Sequence, residues 1–321
     1  VGNKPLVEVG KMTWTCSGVL QIGIPKTITN IATLAFNDCR SLASIIVAAN
    51  NSRYTAIQGV LYDKSEKTLL SCPHVMKELS VPNGVERIAD FAFFNCSIES
   101  VQMPEGVRSI GESAFYNCYS MRECRLPSTV QEIGVMAFGQ CYELRGEYTL
   151  PSALKSLGKG AFFRTSIRDF VIDDTNESFR TVDGILFDKQ GTTLVLCPPQ
   201  KQLQSYPEGI IRIGESAFAS VKSVPRYIPD SVLEIGRGAF NDVWSPDCIT
   251  VGANVTNIGT YAFESTHIKY IDVSSKNQTF FVRNRILYDR RIPWPWYGVG
   301  RLDQIHLVAH SAPYGIEKAV L

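Results

Sequence analysis

The feature that most constrains the fold is an Ala-Phe dipeptide that recurs eight times along the chain. Successive phenylalanines lie 22 to 24 residues apart, except at two places where the gap is 56 or 57 residues. A fixed period of this length is the signature of a repeat protein, in which stacked units bury a core that no single unit could bury alone. The repeated phenylalanines are Phe36, Phe93, Phe115, Phe138, Phe162, Phe218, Phe240 and Phe263.

The residues around each Ala-Phe pair repeat as well. The segments that end at Phe93, Phe115, Phe138 and Phe240 read VPNGVERIADFAF, MPEGVRSIGESAF, LPSTVQEIGVMAF and IPDSVLEIGRGAF. A unit of about 23 residues is too short for two helices, so it predicts one coil of a β-solenoid with two short strands. The Pro cannot donate to a β-ladder and is expected to end one strand. The Gly after the Ile is expected to mark a bend.

The two long gaps hold a second motif. Residues 51–73 read NSRYTAIQGVLYDKSEKTLLSCP, residues 176–198 read NESFRTVDGILFDKQGTTLVLCP, and a degenerate copy begins at Asn277. In the first two copies, apolar runs flank a polar turn at residues 63–66 and 188–191, a pattern typical of a β-hairpin. We therefore expect hairpin inserts near residues 51–73, 176–198 and 277–295.

These motifs resemble the BspA-like leucine-rich repeats, which are known from surface proteins of host-associated bacteria and some protist parasites. The resemblance covers roughly residues 16–289. It implies a β-rich solenoid, a right-handed leucine-rich repeat superhelix with a parallel β-sheet along one face. It also implies a secreted or surface-anchored protein, since several members are linked to adhesion to host matrix proteins or other cells. The family has no shared catalytic residues to carry over.

The repeat fixes the expected domain organisation. One elongated solenoid is predicted over residues 1–289, with a degenerate N-terminal cap at 1–23, and a C-terminal cap or tail at 290–321. If each insert extends the stack, eight repeats and three inserts give roughly eleven coils. The chain opens at Val1 without a secretion-signal pattern, as a mature or trimmed form would, and this start says nothing about the compartment. The extracellular or cell-surface location that we expect is what the resemblance implies.

Composition excludes several classes of protein. Hydrophobic residues make up 45% of the chain and charged residues 20%, which is typical of a folded chain and not of a disordered one. The net charge is +1 and no run of Lys or Arg stands out, so no nucleic-acid partner is expected. No stretch reaches the roughly 18 consecutive apolar residues of a transmembrane helix, so no membrane insertion is expected. We expect a monomer.

Nine cysteines fall largely in register with the repeat. Cys39, Cys96, Cys118 and Cys141 each follow the repeated Phe by three residues, and Cys16 fits the same place in the degenerate first coil. This pattern favours a buried column of free thiols. Disulfides between neighbouring coils are the alternative, since a coil spacing of about 4.8 Å is compatible with one. The odd total and the absence of paired spacing weigh against them.

The outward positions of the predicted strand face are the main candidate binding surface. Solenoids commonly bind partners on this face, and the expected partner is a protein or glycan on a host matrix or another cell surface. Charges of both signs alternate along it, so a merely solvated face is the alternative. The candidate residues are Arg122, Glu123, Arg125, Arg168, Asp169, Lys269, Tyr270 and Asp272.

A second candidate is the aromatic segment PWPWY at residues 293–297. Trp294 and Trp296 could form an adhesive patch, because Trp is enriched at interface hot spots. The segment lies just beyond the last clear repeat, where the end of a solenoid must be capped. We favour the cap and retain both tryptophans as candidates.

No motif of a known active site is present. The sequence lacks a GxSxG elbow, a Walker loop and a GxGxxG loop, and there is no CxxC pair for zinc. His306 and His310 have helical i, i+4 spacing but lack the glutamate of the HExxH motif. We therefore expect a non-enzymatic binding protein without metal or cofactor. A structural spacer is the second hypothesis, and a metal-dependent enzyme using His306 and His310 is the third.

Overall fold

The structure is a computed structural model that describes residues 6–11, 18–36 and 39–291. Over these residues the chain is a β-solenoid of about 12 coils without a helix. The strands are β1 (Glu8–Val9), β2 (Gln21–Ile24), β3 (Asn30–Ile31), β4 (Ser44–Val47), β5 (Tyr54–Ile57), β6 (Val60–Asp63), β7 (Thr68–Ser71), β8 (Glu78–Ser80), β9 (Arg87–Ile88), β10 (Ser100–Gln102), β11 (Ser109–Ile110), β12 (Glu123–Arg125), β13 (Glu132–Ile133), β14 (Arg145–Thr149), β15 (Ser156–Leu157), β16 (Ser166–Val171), β17 (Phe179–Val182), β18 (Ile185–Asp188), β19 (Thr193–Leu196), β20 (Arg212–Ile213), β21 (Glu234–Ile235), β22 (Cys248–Val251), β23 (Asn257–Ile258), β24 (Tyr270–Val273), β25 (Phe280–Arg283) and β26 (Ile286–Asp289).

One side of the solenoid, which we call the strand face, carries the predicted parallel pairing. It consists of β2–β4, β8–β10–β12, β14–β16 and β22–β24. Neighbouring coils are in register, with Val101 of β10 opposite Cys124 of β12. In β12 the central Cys124 is buried and its two neighbours are exposed, as expected for a strand with one face against a core. The predicted fold class is therefore confirmed.

The strand face is divided into four short sheets and is not one continuous sheet. The break between β12 and β14 has a local cause. The stretch from Cys141 to the following Pro151 is one residue longer than the equivalent stretch in the coil before it, and β14 contains a register shift at Gly146/Glu147. The hydroxyl of buried Tyr148 donates to the carbonyl oxygen of Cys124 at 2.7 Å. It thereby occupies an acceptor that a regular ladder would offer to a backbone N–H.

A second row of two-residue strands contains the Ile or Leu that lies five residues before each repeated Phe. It pairs β9, β11, β13 and β15 in parallel, and separately β20, β21 and β23. The Gly after each Ile does lie where the strand ends, but its backbone φ is ordinary. A Cβ on Gly134 would lie 2.5 Å from the carbonyl carbon of Gly111 in the coil below. The chain does turn directly after these glycines, and their lack of a side chain also allows two coil backbones to approach closely.

The Ala-Phe pair lies on an arc between the second row and the strand face. In the Phe115 coil, the residues two before and two after the Phe, Ser113 and Asn117, have left-handed φ values of 51° and 59°. This conformation directs the amides of Ser113, Phe115 and Asn117 toward the next coil, where they donate to carbonyl oxygens at 2.7 to 2.8 Å. The arc is therefore hydrogen-bonded from coil to coil even though it contains no strand.

Each complete insert is a three-stranded unit and not a single hairpin. In the first, β5 and β6 are joined by a tight turn at Gln58–Gly59, and β6 and β7 flank the predicted polar turn. Strand β7 then pairs in parallel with β9 of the next coil. The amide of Cys72 donates to the carbonyl oxygen of Ala92 at 2.7 Å, the bond that a repeated Phe makes elsewhere. The insert is therefore a coil that turns at Cys-Pro and has no Ala-Phe arc.

A buried asparagine starts each insert. The side-chain amide of Asn176 donates to the carbonyl oxygens of Ser152 and Leu154, both at 2.8 Å, and its Oδ1 accepts from the amides of Ser178 and Phe179. Asn51 and Asn277 make the equivalent contacts. All four hydrogen-bonding positions of the side chain are used, so the residue fastens the insert to the preceding coil.

The interior is filled by aliphatic side chains, stacked phenylalanines and thiols. Eight cysteines fall within the described residues, and all eight are buried thiols outside any disulfide. The thiols of Cys118 and Cys141 donate to the carbonyl oxygens of Phe93 and Phe115 at 3.0 and 3.1 Å. The interpretation of these cysteines as buried thiols is confirmed for the described residues, and Cys16 lies outside them.

Candidate binding surfaces

The first group of predicted surface residues lies on the sheet β8–β10–β12. Arg122, Glu123 and Arg125 are all exposed, and the side chains of Arg125 and Glu123 are 92% and 64% exposed although they form an ion pair at 3.3 Å. A pair this exposed contributes little to stability. These side chains are therefore free to rearrange toward a partner.

The second group lies on β16, in a different sheet. Arg168 is exposed, while Asp169 is half-buried and bound by the ammonium group of Lys201 at 2.6 Å. Asp169 also lies against Gly184 in the turn of the second insert, where a Cβ would approach its carboxylate to 2.2 Å. Asp169 thus joins two parts of the solenoid and keeps a side chain that is 41% exposed, whereas Arg168 lies outside this ion pair.

The third group lies on β24 and just before it. Lys269, Tyr270 and Asp272 are exposed, and Lys269 is paired with Asp247 of the preceding coil at 2.9 Å. The groups on β12, β16 and β24 belong to three separate sheets. The structure therefore places the predicted residues on one face, in three patches.

The patches differ in how their charges are balanced. Within the part of the chain that the structure describes, the salt bridges include neither Arg122 nor Arg168. The nearby Lys77 and Glu99, by contrast, pair across the two coils before β12 at 3.3 Å. The two arginines are thus exposed cations that an anionic group of a partner can reach without displacing a paired carboxylate.

Four residues that the sequence singles out lie outside the described residues. These are Trp294, Trp296, His306 and His310. Residues 6–11, 18–36 and 39–291 contain no group of three or more His, Cys, Asp or Glu side chains placed to hold a metal ion. The same residues include no helix with the length and apolar character needed to cross a bilayer.

A second surface was not predicted from the sequence. It lies along the edge where each arc joins the strand face, four residues after the repeated Phe. Tyr119, Tyr142, Trp244 and His267 occupy this position in their coils and are all exposed. An aromatic ring at one fixed offset from a repeated Phe is visible in the sequence, so the repeat register could have revealed this column.

Around the second insert this edge forms an open groove of about 750 Å³. Because the insert coil has no arc, the arcs of Phe162 and Phe218 come together, and the amide of Arg164 donates to Ser220 Oγ at 2.8 Å. We call this open groove the edge groove. Its lining residues are Tyr142, Arg164, Thr165, Ser166, Gln200, Ser220, Lys222, Asp242 and Trp244.

A forked ion pair forms the polar centre of the edge groove. Nε of Arg164 donates to Oδ2 of Asp242 at 2.7 Å, and its terminal NH2 group donates to Oδ1 at 3.0 Å. The Asp242 side chain is only 7% exposed, whereas Arg164 is 42% exposed. The hydrogen bonds to Asp242 raise the pKa of Arg164 above its ordinary value. A bidentate pair of this kind is both strong and fixed in geometry.

Comparison with known proteins identifies the repeat. A family model described as "BspA type Leucine rich repeat region" matches residues 3–65, 65–187 and 200–285, in six copies. No curated protein sequence matches the chain.

Among solved structures, the pneumococcal vaccine antigen PcpA matches with a TM-score of 0.53 and 22% identity over 86% of this chain and 70% of that one. A leucine-rich repeat protein from Eubacterium ventriosum ATCC 27560 matches with a TM-score of 0.50 and 22% identity over 82% and 63% of the two chains. These likenesses concern the fold, and the family match covers most of the sequence. The chain belongs to the BspA-type leucine-rich repeat family.

Proposed function

We propose that this protein is a non-enzymatic binding protein of the cell surface or extracellular space. The protein acts as a monomer and uses the strand face to bind a protein or glycan of a host matrix or another cell. The observation that carries the proposal is the pair of exposed arginines, Arg122 and Arg168, which no described carboxylate neutralises. Arginine is enriched at interface hot spots because its flat guanidinium forms several hydrogen bonds at once.

The absence of turnover is supported by how the polar groups are arranged. Catalysis requires a nucleophile, an acid or a base to converge in a partly desolvated pocket. Here the buried ionisable groups are mainly thiols whose environment opposes ionisation. Burial raises the pKa of Cys124 to about 12, although a hydrogen bond from Tyr148 lowers it. A thiol held protonated is a poor nucleophile.

Location outside the cell is supported by family membership. BspA-like proteins are known from surface proteins, and the solenoid offers the long open face that such proteins present. Localisation of the native protein by antibody labelling of intact cells tests this part, and labelling only after permeabilisation would contradict it.

Binding of the purified chain to immobilised matrix proteins and glycans tests the function. The informative variant is Arg122→Ala/Arg125→Ala/Arg168→Ala. A matched control is Arg53→Ala/Arg108→Ala/Arg283→Ala, which removes two exposed arginines from the inserts and one that directly precedes β11. Saturable binding that the first variant loses and the control keeps supports the proposal. Equal binding by both variants would show that the strand face is not the binding surface.

The alternative function is a structural spacer that holds another domain away from a surface. The regular stack of coils with nearest-neighbour contacts suits that role. A spacer needs no ligand, so it predicts no saturable binding by wild type or by either variant.

A further inference from the structure

We propose that the edge groove is a glycan-binding site, in which Trp244 and Tyr142 stack on pyranose rings and the Arg164–Asp242 pair binds their hydroxyl groups. This site is distinct from the strand-face site proposed above and does not depend on it. Three features of the groove lead to this ligand class: fixed aromatic faces, a balanced set of donors and acceptors, and a backbone whose hydrogen bonds are already made.

Trp244 provides a flat and preorganised surface. Trp244 is 57% exposed, which is unusual for tryptophan, a large and mostly buried side chain. The ring of His267 from the next coil stacks against the indole, with centroids 4.2 Å apart and planes 24° from parallel. His267 does not line the groove, so the groove lies on the other side of the indole. A ring held on one face and open on the other loses little entropy when a flat apolar surface docks.

Tyr142 provides a second ring at the other end of the groove. It is 44% exposed, and its hydroxyl bonds to Gln140 Oε1 at 3.2 Å. Tyr142 follows the arc of Phe138 and Trp244 that of Phe240, with the arcs of Phe162 and Phe218 between them, and the groove that they line has a volume of about 750 Å³. The groove is therefore long enough for more than one sugar ring.

The floor between the two rings offers both donors and acceptors. The carboxylate of Asp242 can accept hydrogen bonds, and the exposed part of the Arg164 guanidinium can donate them. The side-chain amide of Gln200 can do both. A sugar hydroxyl is itself a donor and an acceptor, so it is satisfied by such a mixed set. The Arg164–Asp242 pair neutralises itself, which leaves Lys222 as the lining cation outside a salt bridge among the described residues. One cation is too few for a nucleic-acid backbone, whose affinity depends on many phosphate contacts.

The backbone along the groove is not available to a peptide strand. The amides of Ser166, Gln200 and Lys222 donate to Leu144, Ile167 and Pro199 at 2.9, 3.0 and 3.1 Å. Addition of a β-strand requires a row of free backbone groups at an edge. A peptide would have to bind by side chains alone in an open depression, whereas a glycan uses the aromatic faces and polar side chains that are present.

The test is a solution titration of the full chain with soluble oligosaccharides, neutral, N-acetylated and uronic-acid-containing, followed by saturation-transfer NMR and calorimetry. Trp244→Ala and Tyr142→Ala remove the platforms, and Trp244→Phe retains an aromatic face. Tyr119→Ala is the matched control, because Tyr119 occupies the same repeat position, is 48% exposed and does not line the groove. Thermal melts of all four variants establish that each is folded.

The expected result is binding of at least one oligosaccharide class that weakens at least tenfold in Trp244→Ala and Tyr142→Ala and changes less than twofold in Trp244→Phe and Tyr119→Ala. Unchanged affinity in folded Trp244→Ala would overturn the proposal, as would the absence of binding to any class at millimolar sugar. Binding of an acidic peptide library that depends on Trp244, without sugar binding, would reassign the groove to a peptide. The strand-face arginine variant keeps full sugar binding, so failure of one proposal is distinguishable from failure of the other.

Discussion

The ring of Phe115 stacks on that of Phe138 with centroids 5.1 Å apart and planes 6° from parallel. Phe138 stacks in the same way on Phe162, at 5.2 Å and 5°. Each coil thus repeats one contact with the next, and every one of these rings is fully buried. Stability in such an array is a sum of contacts between neighbours.

The first prediction concerns this stack. Phe115→Ala removes a ring with neighbours on both sides and should lower the free energy of unfolding by about 3–5 kcal/mol, as other buried Phe truncations do. Tyr119→Ala, an exposed aromatic in the same coil, should cost less than about 0.5 kcal/mol. Urea denaturation measures both. A loss below about 1 kcal/mol for Phe115→Ala would contradict its place in the core.

The second prediction concerns the close approach of coils at glycine. A methyl group on Gly134 would meet backbone atoms of Gly111 and Glu112 at 2.5 and 2.6 Å, and backbone cannot move aside as a flexible side chain can. Gly134→Ala should therefore destabilise the chain by about 1–3 kcal/mol. Gly23→Ala is the control, since a Cβ there meets nothing within 4 Å. Equal melting temperatures for the two variants would contradict the structural role of Gly134.

The third prediction concerns the thiols. Burial is the main cause that raises the pKa of Cys118 well above that of a free thiol, and the residue is 0% exposed. In a Cys16→Ser background, an aromatic disulfide reagent at pH 8 should modify none of the eight described thiols in the folded chain. The same reagent should modify all of them in guanidinium. Rapid modification of the folded chain would contradict the buried column.

The fourth prediction concerns acid stability at the second insert. Burial of Asp188 favours its protonated form, but hydrogen bonds from Thr193 and Thr192 outweigh burial and lower its pKa. Because the folded pKa lies below the unfolded value of about 3.9, the carboxylate stabilises the fold above that pH. This contribution is lost as the pH falls through the folded pKa.

Asp188→Asn keeps an oxygen for the amides of Thr192 and Thr193 but has no charge. It should be less stable than wild type at pH 6, and the two unfolding free energies should converge near pH 2. Asp183→Asn, an exposed turn residue of the same insert, serves as the control. A wild-type advantage that persists unchanged to pH 2 would contradict the role of Asp188.

Much of the fold is predictable because the same pattern of apolar, Gly and Pro residues recurs in each coil. The inward Phe and Cys positions, the end of each strand before Pro and the polar turn at residues 63–66 all follow from pattern. The tight turn at Gln58–Gly59 lacks the Asn-Gly or Asp-Gly signature, but the equivalent turn of the second insert, Asp183–Gly184, carries it, so the sequence did hold a signal for this extra strand. The break after β12 depends on one extra residue and on Tyr148, which only a packed structure reveals.

The candidate surfaces, too, are only partly predictable from the sequence. Alternation along β12 predicts that Glu123 and Arg125 are exposed, and they are; Arg122 precedes the strand and is exposed as well. The edge groove depends on which coils become neighbours when an insert lacks its arc. Arg164 and Asp242 lie 78 residues apart in sequence, and no local pattern relates them. The ion pair between Asp169 and Lys201 likewise joins residues that are far apart in sequence.

The measurement that tests the central claim most directly is a binding titration of the purified chain against immobilised matrix proteins and surface glycans, with wild type and the triple variant of Arg122, Arg125 and Arg168 compared at equal folded concentration. Wild type should bind at least one immobilised partner saturably, and the triple variant should lose that binding while Trp244→Ala keeps it. No binding to any surface at tens of micromolar, where contacts worth about 6–7 kcal/mol are already detectable, would contradict it and favour the spacer.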